Sequence, residues 1–492
     1  LALSAGCLWS RPAADGEPAA IRGDDGVVPT SRRRRALAAV VVIAAALLAS
    51  VLAGCSSTSP AGAPSSTAAG PAPTLPGGDW PTYQHDGARS GVDPAAPAFA
   101  TPARRWSTSI DGDVYAQPLT VGDRVVVATE HDTVVAVQAG TGRVQWTTTL
   151  GQPIPGGDLP CGNIDPSGIT GTPVVDPAAG AVWVVAFVQP GQHVLAALDL
   201  ATGAVRVRRV IDPQGSDPRV EQQRGALTLS AGRVYVPFGG LFGDCGEYHG
   251  YVAAVDTRSP NSSPLVYQVA SQRQAGIWAP GGAAVAADGT LLIATGNGSS
   301  TTSYDGGNSV IRLSPDLRQL DSFTPTDSPQ LNATDTDLGS TAPLQVGGGL
   351  VFQIGKGGVG YLLAADHLGG VGGQAYSSQV CGGVLGATTY ASPLIIVPCE
   401  DGLVALRLAG GGQPGFAVAW GDSTLRAGPT IVAHGTAWAM DRDAGDLVGL
   451  DIATGAVRAR VHVGRSNDFA VPGSGGGQIY VAAGGQLVAL AE

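Results

Sequence analysis

Val194–Val207 reads VLAALDLATGAVRV, and Val134–Trp146 (VVAVQAGTGRVQW) and Leu447–Arg460 (LVGLDIATGAVRAR) repeat its pattern. Each is a short apolar strand, a Gly-containing turn and a second strand in which polar residues alternate with apolar ones, which together read as a hairpin. Working outward from these hairpins, a larger unit recurs eight times after residue 110. It has an apolar strand led by a small residue or proline, a second apolar strand, a loop, and a strand ending in something like Ala-Leu-Asp. Four copies continue through Thr-Gly or an equivalent turn into an outer strand. A unit of this size cannot bury its own apolar face, so the units must pack on one another.

Lettering the strands A to D from the inside out, the A strands are expected near Gln117-Pro118-Leu119, Thr172-Pro173-Val174, Ala226-Leu227-Thr228, Gly282-Ala283-Ala284, Ala342-Pro343-Leu344, Ser392-Pro393-Leu394, Gly428-Pro429-Thr430 and Val471-Pro472. The C strands are expected near residues 134, 194, 252, 310, 362, 403, 447 and 487. The two series interleave one to one, which predicts an all-β, eight-bladed propeller of four-stranded antiparallel blades. The chain ends just after the eighth C strand, leaving that blade short of its outer strand. Arg104-Arg105-Trp106-Ser107-Thr108-Ser109 precedes the first A strand and puts Trp106 in the place of Trp146 and Trp420. It is predicted to complete the last blade and close the ring, which removes exposed sheet edges.

Glycine (73) and proline (35) are abundant and charged residues make up only 14% of the 492, as many short strands with tight turns require. The net charge of −11 and the lack of a basic stripe exclude nucleic acid as a partner. At the N-terminus, Arg32-Arg33-Arg34-Arg35 precedes the apolar run Ala36–Gly54 and then Cys55, the three parts of an export signal. Leu52-Ala53-Gly54-Cys55 resembles the bacterial lipobox, which implies cleavage before Cys55 and a diacylglyceryl group on its thiol, while an uncleaved membrane anchor is the other reading. Either reading gives an exported chain held at the outer face of the cell membrane. Residues 1–54 are thus assigned to the signal with an over-long start, and 55–78, rich in Ser, Ala, Pro, Gly and Thr, to a tether. The propeller takes residues 79–492.

The repeat, with a lead-in motif Trp80-x-x-Tyr83-x-x-Asp86-x-x-Arg89-Ser90-Gly91, resembles the pyrroloquinoline-quinone-like β-propeller family over about residues 79–492. The resemblance implies the fold. For function it implies two things at once, because that family holds cofactor-dependent dehydrogenases and an outer-membrane-assembly scaffold lipoprotein.

Strand alternation puts the B–C loops and D–A connections on one face of such a ring and the A–B and C–D turns on the other. The C–D turns are short, whereas the insertions Gly151–Gly168, Gly239–Gly250, Gly296–Gly307 and Thr324–Gly339 fall on the first face. Long loops in a compact repeat fold point to function, so this face is where a protein or small-molecule ligand is expected. Besides Cys55, and with Cys7 in the signal, Cys161, Cys245, Cys381 and Cys399 remain. Cys161 leads into blade two and Cys245 lies in the loop of blade three, while Cys381 and Cys399 both belong to blade six, so disulfides Cys161–Cys245 and Cys381–Cys399 are expected. A metal site is the rival, but there is no Cys-x-x-Cys and no histidine pair at ligand spacing.

The dehydrogenase branch of the resembling family stacks its quinone on a ring of two adjacent disulfide-bonded cysteines and holds calcium with carboxylate and amide oxygens. This chain has no Cys-Cys pair. It does carry Asn332-x-x-Asp335-x-Asp337 just before the fifth A strand, where the resemblance places an acidic loop. Two carboxylates and an amide suit calcium, and one carboxylate, Asp335, suits a base. The bland reading of the same residues is turn formation. Lys356, the only lysine, sits in a B–C loop, where the resemblance implies contact with a cofactor's carboxylates and where simple solvation is the alternative. Trp278 enters the fourth A strand as a pocket floor or as packing between blades. Asp441-Arg442-Asp443 and Glu247-Tyr248-His249 share the face and read as turn polarity. No nucleophile–base arrangement is present: the histidines are scattered and there is no Gly-x-Ser-x-Gly elbow. The sequence therefore points first to a non-catalytic, lipid-anchored propeller that binds through its looped face, and second to a quinone- or calcium-dependent oxidoreductase.

Overall fold

A computed structural model describes residues 78–94 and 96–492; the expected export signal, Cys55 and all but the last residue of the expected tether lie outside the described residues. Eight antiparallel sheets follow one another around a central axis, each ordered from an inner strand to an outer one. The last blade is built from Gly473–Gly475, Gln478–Ala483, Gln486–Ala491 and, outermost, Ala103–Ser109. That outer strand pairs antiparallel with the C-terminal strand, Trp106 opposite Ala489 and Ser109 opposite Gln486, so the two ends of the propeller seal the ring.

Three details differ from the expectation, the first being Glu221–Gln222, which pairs with the end of strand B of blade three as a fifth strand. The innermost strand of blade six is Thr389–Ala391; Ser392-Pro393 is the turn after it, and Leu394–Cys399 is already strand B. In most other blades the proline precedes strand A, because a residue without an N–H fits the approach to a strand better than its ladder. Blade five departs from the short C–D turns: its connection carries Gly370–Val371, which adds a fifth, parallel strand to the edge of blade four.

The Thr-Gly turns have a packing purpose that the sequence pattern hides. Trp106 donates its indole N–H to Ala139 O at 2.8 Å, Trp146 to Leu200 O at 3.0 Å and Trp420 to Ile452 O at 2.9 Å. Each outer-strand tryptophan thereby docks on the C–D turn of the next blade. The turn glycine is obligatory: Gly203 has φ +72°, and a β-carbon there would lie 2.6 Å from the ring of Trp146. The docking repeats around the turn face, while the cores between blades are filled by inner-strand residues such as Leu119, Val182, Leu195 and Ile431.

The axis is filled at the same end. Residues 78–93, which hold the lead-in motif, run across it and bond to the inner strands of blades one to four, six and seven and to the A–B turn of blade eight. Trp80 exchanges two backbone hydrogen bonds with Thr120, and Val175 donates to Pro81, Val285 to Gly87, Tyr390 to Ser90 and Val432 to Gly91. Arg89 is buried to 3% exposure and donates to Thr82 Oγ1, Tyr83 O, Leu227 O and Thr228 Oγ1. Inner strands that would have presented free edges to a channel are thus paired with one crossing segment.

Candidate functional site

The loops opposite that crossing segment bring together Trp278, Asn332, Asp335, Asp337 and Lys356. Trp278 comes from the connection into blade four, the acidic loop from the connection into blade five, and Lys356 from the loop of blade five. The approach depends on missing β-carbons. One on Gly296 would lie 2.4 Å from Asp337 Oδ1 and 2.8 Å from the Trp278 indole nitrogen; one on Gly355 would lie 2.3 Å from Asp337 O. The backbone N–H of Lys356 donates to Asp337 O at 2.8 Å, which sets the lysine beside the carboxylates.

Lys356 Nζ is 2.5 Å from Asp337 Oδ2 and 3.0 Å from Asp335 Oδ1, and it lies over the Trp278 ring, 5.6 Å from the centroid. Neither the solvated lysine nor the simple turn describes these residues. Burial pushes the Asp337 carboxyl up, with the ammonium opposing it. Burial also works against the Lys356 charge, but Asp337 and Asp335 outweigh it and hold the ammonium above its ordinary value. The Asp337 side chain is 8% exposed and that of Lys356 29%, so this is an ion pair largely out of water.

Two asparagines that the sequence reading did not single out organise the rest. Asn308, fully buried, donates to Asn297 Oδ1 at 3.0 Å and Asn332 Oδ1 at 2.8 Å and accepts from Leu338 N at 2.7 Å. Asn297 donates its backbone N–H to Asp337 Oδ1 at 2.7 Å and its side-chain amide to Asp335 Oδ1 at 2.8 Å. Their only sequence signal is a position in or beside the Gly296–Gly307 insertion.

This donor set does not fit calcium. Asn332 Oδ1 already accepts from Gly298 N and Asn308 Nδ2, Asn297 Oδ1 accepts from Asn308, and both Asp337 oxygens are engaged. The place for a cation among these oxygens is held by the Lys356 ammonium. The same ammonium lies over the Trp278 ring.

The cysteines form Cys161–Cys245 and Cys381–Cys399. The second staple bears on the site: Val380 and Cys381 donate to Gly358 O and Val384 donates to Gly355 O, so the stapled segment lies along the Lys356 turn. Phe242, 65% exposed, stands at the tip of the loop fixed by the first staple. Elsewhere on the face, Asp441 pairs with Arg460 at 3.2 Å, Arg442 with Asp468 at 3.5 Å and Glu247 with Arg273 at 3.6 Å, while Tyr248 donates to Asp244. These groups are dispersed and do not join the Lys356 cluster.

Charge divides between the faces. On the turn face five carboxylates have arginine partners: Asp123 with Arg124, Asp199 with Arg206, Asp288 with Arg312, Asp316 with Arg233 and Asp451 with Arg458. In the B–C and D–A connections acidic residues outnumber basic ones roughly three to one. Among the described residues Asp158, Asp165, Asp217, Asp305, Asp327 and Glu400 of that face form no ion pair.

A family model described as outer membrane protein assembly factor BamB matches residues 98–302. Solved structures extend the likeness around the ring. The quinohemoprotein alcohol dehydrogenase from Comamonas testosteroni superposes with a TM-score of 0.67 at 17% identity, covering 84% of this chain and 80% of its own. The chain is a propeller of the pyrroloquinoline-quinone-like repeat type. A europium-containing methanol dehydrogenase gives 0.66 at 13% identity over 85% of this chain and 98% of its own. BamB from Moraxella catarrhalis gives 0.55 at 14% identity over 80% and 98%. At these identities the likeness establishes the fold alone. No curated protein sequence matches the chain.

Proposed function

We propose that this PQQ-like propeller is an exported, lipid-anchored binding scaffold, held to the cell membrane through Cys55, that engages a protein or small-molecule ligand with its long-loop face. The observation that carries the reading is the Lys356 ammonium lodged between Asp335 and Asp337 over Trp278. It neutralises the acidic cluster from within and takes the cation's place among the carboxylates. Further support comes from both disulfides and the exposed Phe242 lying on that face, which makes its loops rigid enough to recognise a partner without ordering first. The BamB-type match over residues 98–302 is in keeping with a scaffold.

The second reading, a quinone- or calcium-dependent oxidoreductase, draws on the same convergence of a tryptophan, two carboxylates and a cation at one pocket. One experiment separates them. The mature protein is titrated with pyrroloquinoline quinone and calcium, following the absorption spectrum and dye-linked oxidation of alcohols and sugars. The scaffold reading expects no saturable spectral change; tight binding that disappears in Asp335→Ala would replace it with the oxidoreductase. In parallel, cross-linking in envelope fractions is expected to yield a defined adduct that is lost when residues 241–246 are shortened and kept when the Ala201–Gly203 turn is altered.

A further inference from the structure

From the course of residues 78–93 we infer that the propeller is carried turn face first. Its axis is sealed at the end where the N-terminal lead-in arrives, and its acidic loop face is the surface turned away from the anchor. The inference rests on the reading of Cys55 as the anchored residue. Its geometry comes from the first described residues. Gly78 O accepts from Gly476 N, in the A–B turn of blade eight, and Asp79 Oδ1 accepts from Gly122 N at 2.8 Å, in the A–B turn of blade one. The chain therefore meets the ring on the face of the turns.

From there Trp80, Tyr83, Gln84 and Arg89 enter the axis and are buried there at 0%, 1%, 0% and 3% exposure. The Gln84 side-chain amide donates to Thr430 O of blade seven, while its backbone N–H goes to Gln117 Oε1 beside blade one. The left-handed φ values of Gln84 (54°), His85 (73°) and Arg89 (62°) fold the segment tightly enough to stay within the bore. It then leaves across the same face: Phe99 stacks on His434, in the A–B turn of blade seven, 3.8 Å between ring centroids, and the chain continues into the outer strand of blade eight. With the turn end filled, a ligand or partner segment reaches the axis only from the loops.

The charge pattern makes the same assignment independently. Membrane surfaces rich in anionic lipid repel acidic surfaces over about a Debye length, some 8–10 Å. The loop connections carry roughly three acidic residues for each basic one, whereas on the turn face Asp123, Asp199, Asp288, Asp316 and Asp451 are each paired with an arginine. A propeller held close to such a surface settles with its loops outward.

The test uses the full mature chain on phosphatidylcholine–phosphatidylglycerol vesicles carrying a rhodamine headgroup lipid. With Cys55 acylated and the other four cysteines in disulfides, one introduced cysteine takes a donor dye uniquely. Donors at Ala201→Cys and Ala453→Cys report the turn face; donors at Gln272→Cys and Ser303→Cys report the loop face. The expected result is greater loss of donor fluorescence from both turn-face positions than from both loop-face positions. Equal transfer from the two faces, or the reverse order, overturns the inference. A second series replaces Cys55 by an N-terminal hexahistidine bound to nickel-chelating lipid. If the acylated chain fails to bind vesicles while the histidine-anchored chain keeps the order, the lipid-anchor reading has failed and the orientation has not.

Discussion

Replacing Lys356 by methionine keeps the length and apolar stem of the side chain and removes only the charge. The Asp337 carboxylate then retains a single hydrogen bond, from Asn297 N, in a setting where the side chain is 8% exposed. Breaking a buried pair from one side costs about 3–5 kcal/mol, and the partial exposure of Lys356 puts this case near 3 kcal/mol. The second carboxylate, Asp335, is 69% exposed and loses little when its partner goes. Removing both members, Asp337→Asn with Lys356→Met, is expected to recover stability to within about 1 kcal/mol of the original, a coupling of at least ~2 kcal/mol in the double-mutant cycle. The pH dependence gives a separate sign. Burial already pushes Asp337 up; without the ammonium only the Asn297 N–H opposes it, so the carboxyl of the folded variant holds its proton to higher pH than that of the unfolded chain. The stability of Lys356→Met therefore falls as pH rises above the ordinary carboxyl value, more steeply than in the parent. Urea unfolding followed by tryptophan fluorescence at about pH 5 and about pH 8 measures both quantities. A single variant within ~0.5 kcal/mol of the parent at the higher pH, or additive single changes, would refute a self-neutralised pocket.

Glu130, Asp132 and Glu221 are pushed up to about 7, 8 and 8, in each case first by burial. Between their ordinary values and these, they are protonated when folded and ionised when unfolded, so stability declines as pH rises, by at most about 1.4 kcal/mol per group per unit. Thermal melts should peak on the acid side of neutrality and flatten in Asp132→Asn; a midpoint that climbs from pH ~5 to ~8 contradicts this. Trp106→Ala removes the closing strand's dock on Gly142 and its bond to Ala139 O, at an expected cost of about 3–5 kcal/mol by urea unfolding, and a loss under ~1 would show that closure does not depend on it. Replacing Cys161 and Cys245 by alanine opens a closure of 84 residues and should cost about 4.5 kcal/mol, against about 3 for the 18-residue closure of Cys381 and Cys399; the opposite ranking in unfolding experiments would be inconsistent with restriction of the unfolded chain.

The ring was legible because its signals are local and repeated. Eight C strands lie where the apolar runs end, and Trp106 could be placed on the last blade by likeness to Trp146 and Trp420. What the repeats cannot carry is anything made by residues distant in the chain. Arg89 reads as part of a motif and Gln84 as one of its unspecified positions, yet their partners Thr228 and Thr430 lie more than a hundred residues on, and nothing local says that the motif fills the axis. Asn308 looks like a loop residue, and only the fold shows it fastening Asn297, Asn332 and Leu338 together. Asp335, Asp337 and Lys356 were visible as chemistry-bearing groups. That one neutralises the others depends on the glycines at 296 and 355 letting two loops touch.

The placement of these features separates holding the ring together from using it. Tryptophan docks, turn glycines and arginine–carboxylate pairs gather on the turn face, and the crossing segment fills the axis at that end. Closure is thus completed without the B–C loops, which leaves those loops free to take insertions at small cost in chain entropy. They have done so in blades three and four, with the first disulfide securing the loop of blade three. Lys356 folded onto Asp337 neutralises the cluster, and a ligand would draw it away only by offering Asp335 and Asp337 a better cation, or Lys356 a better anion.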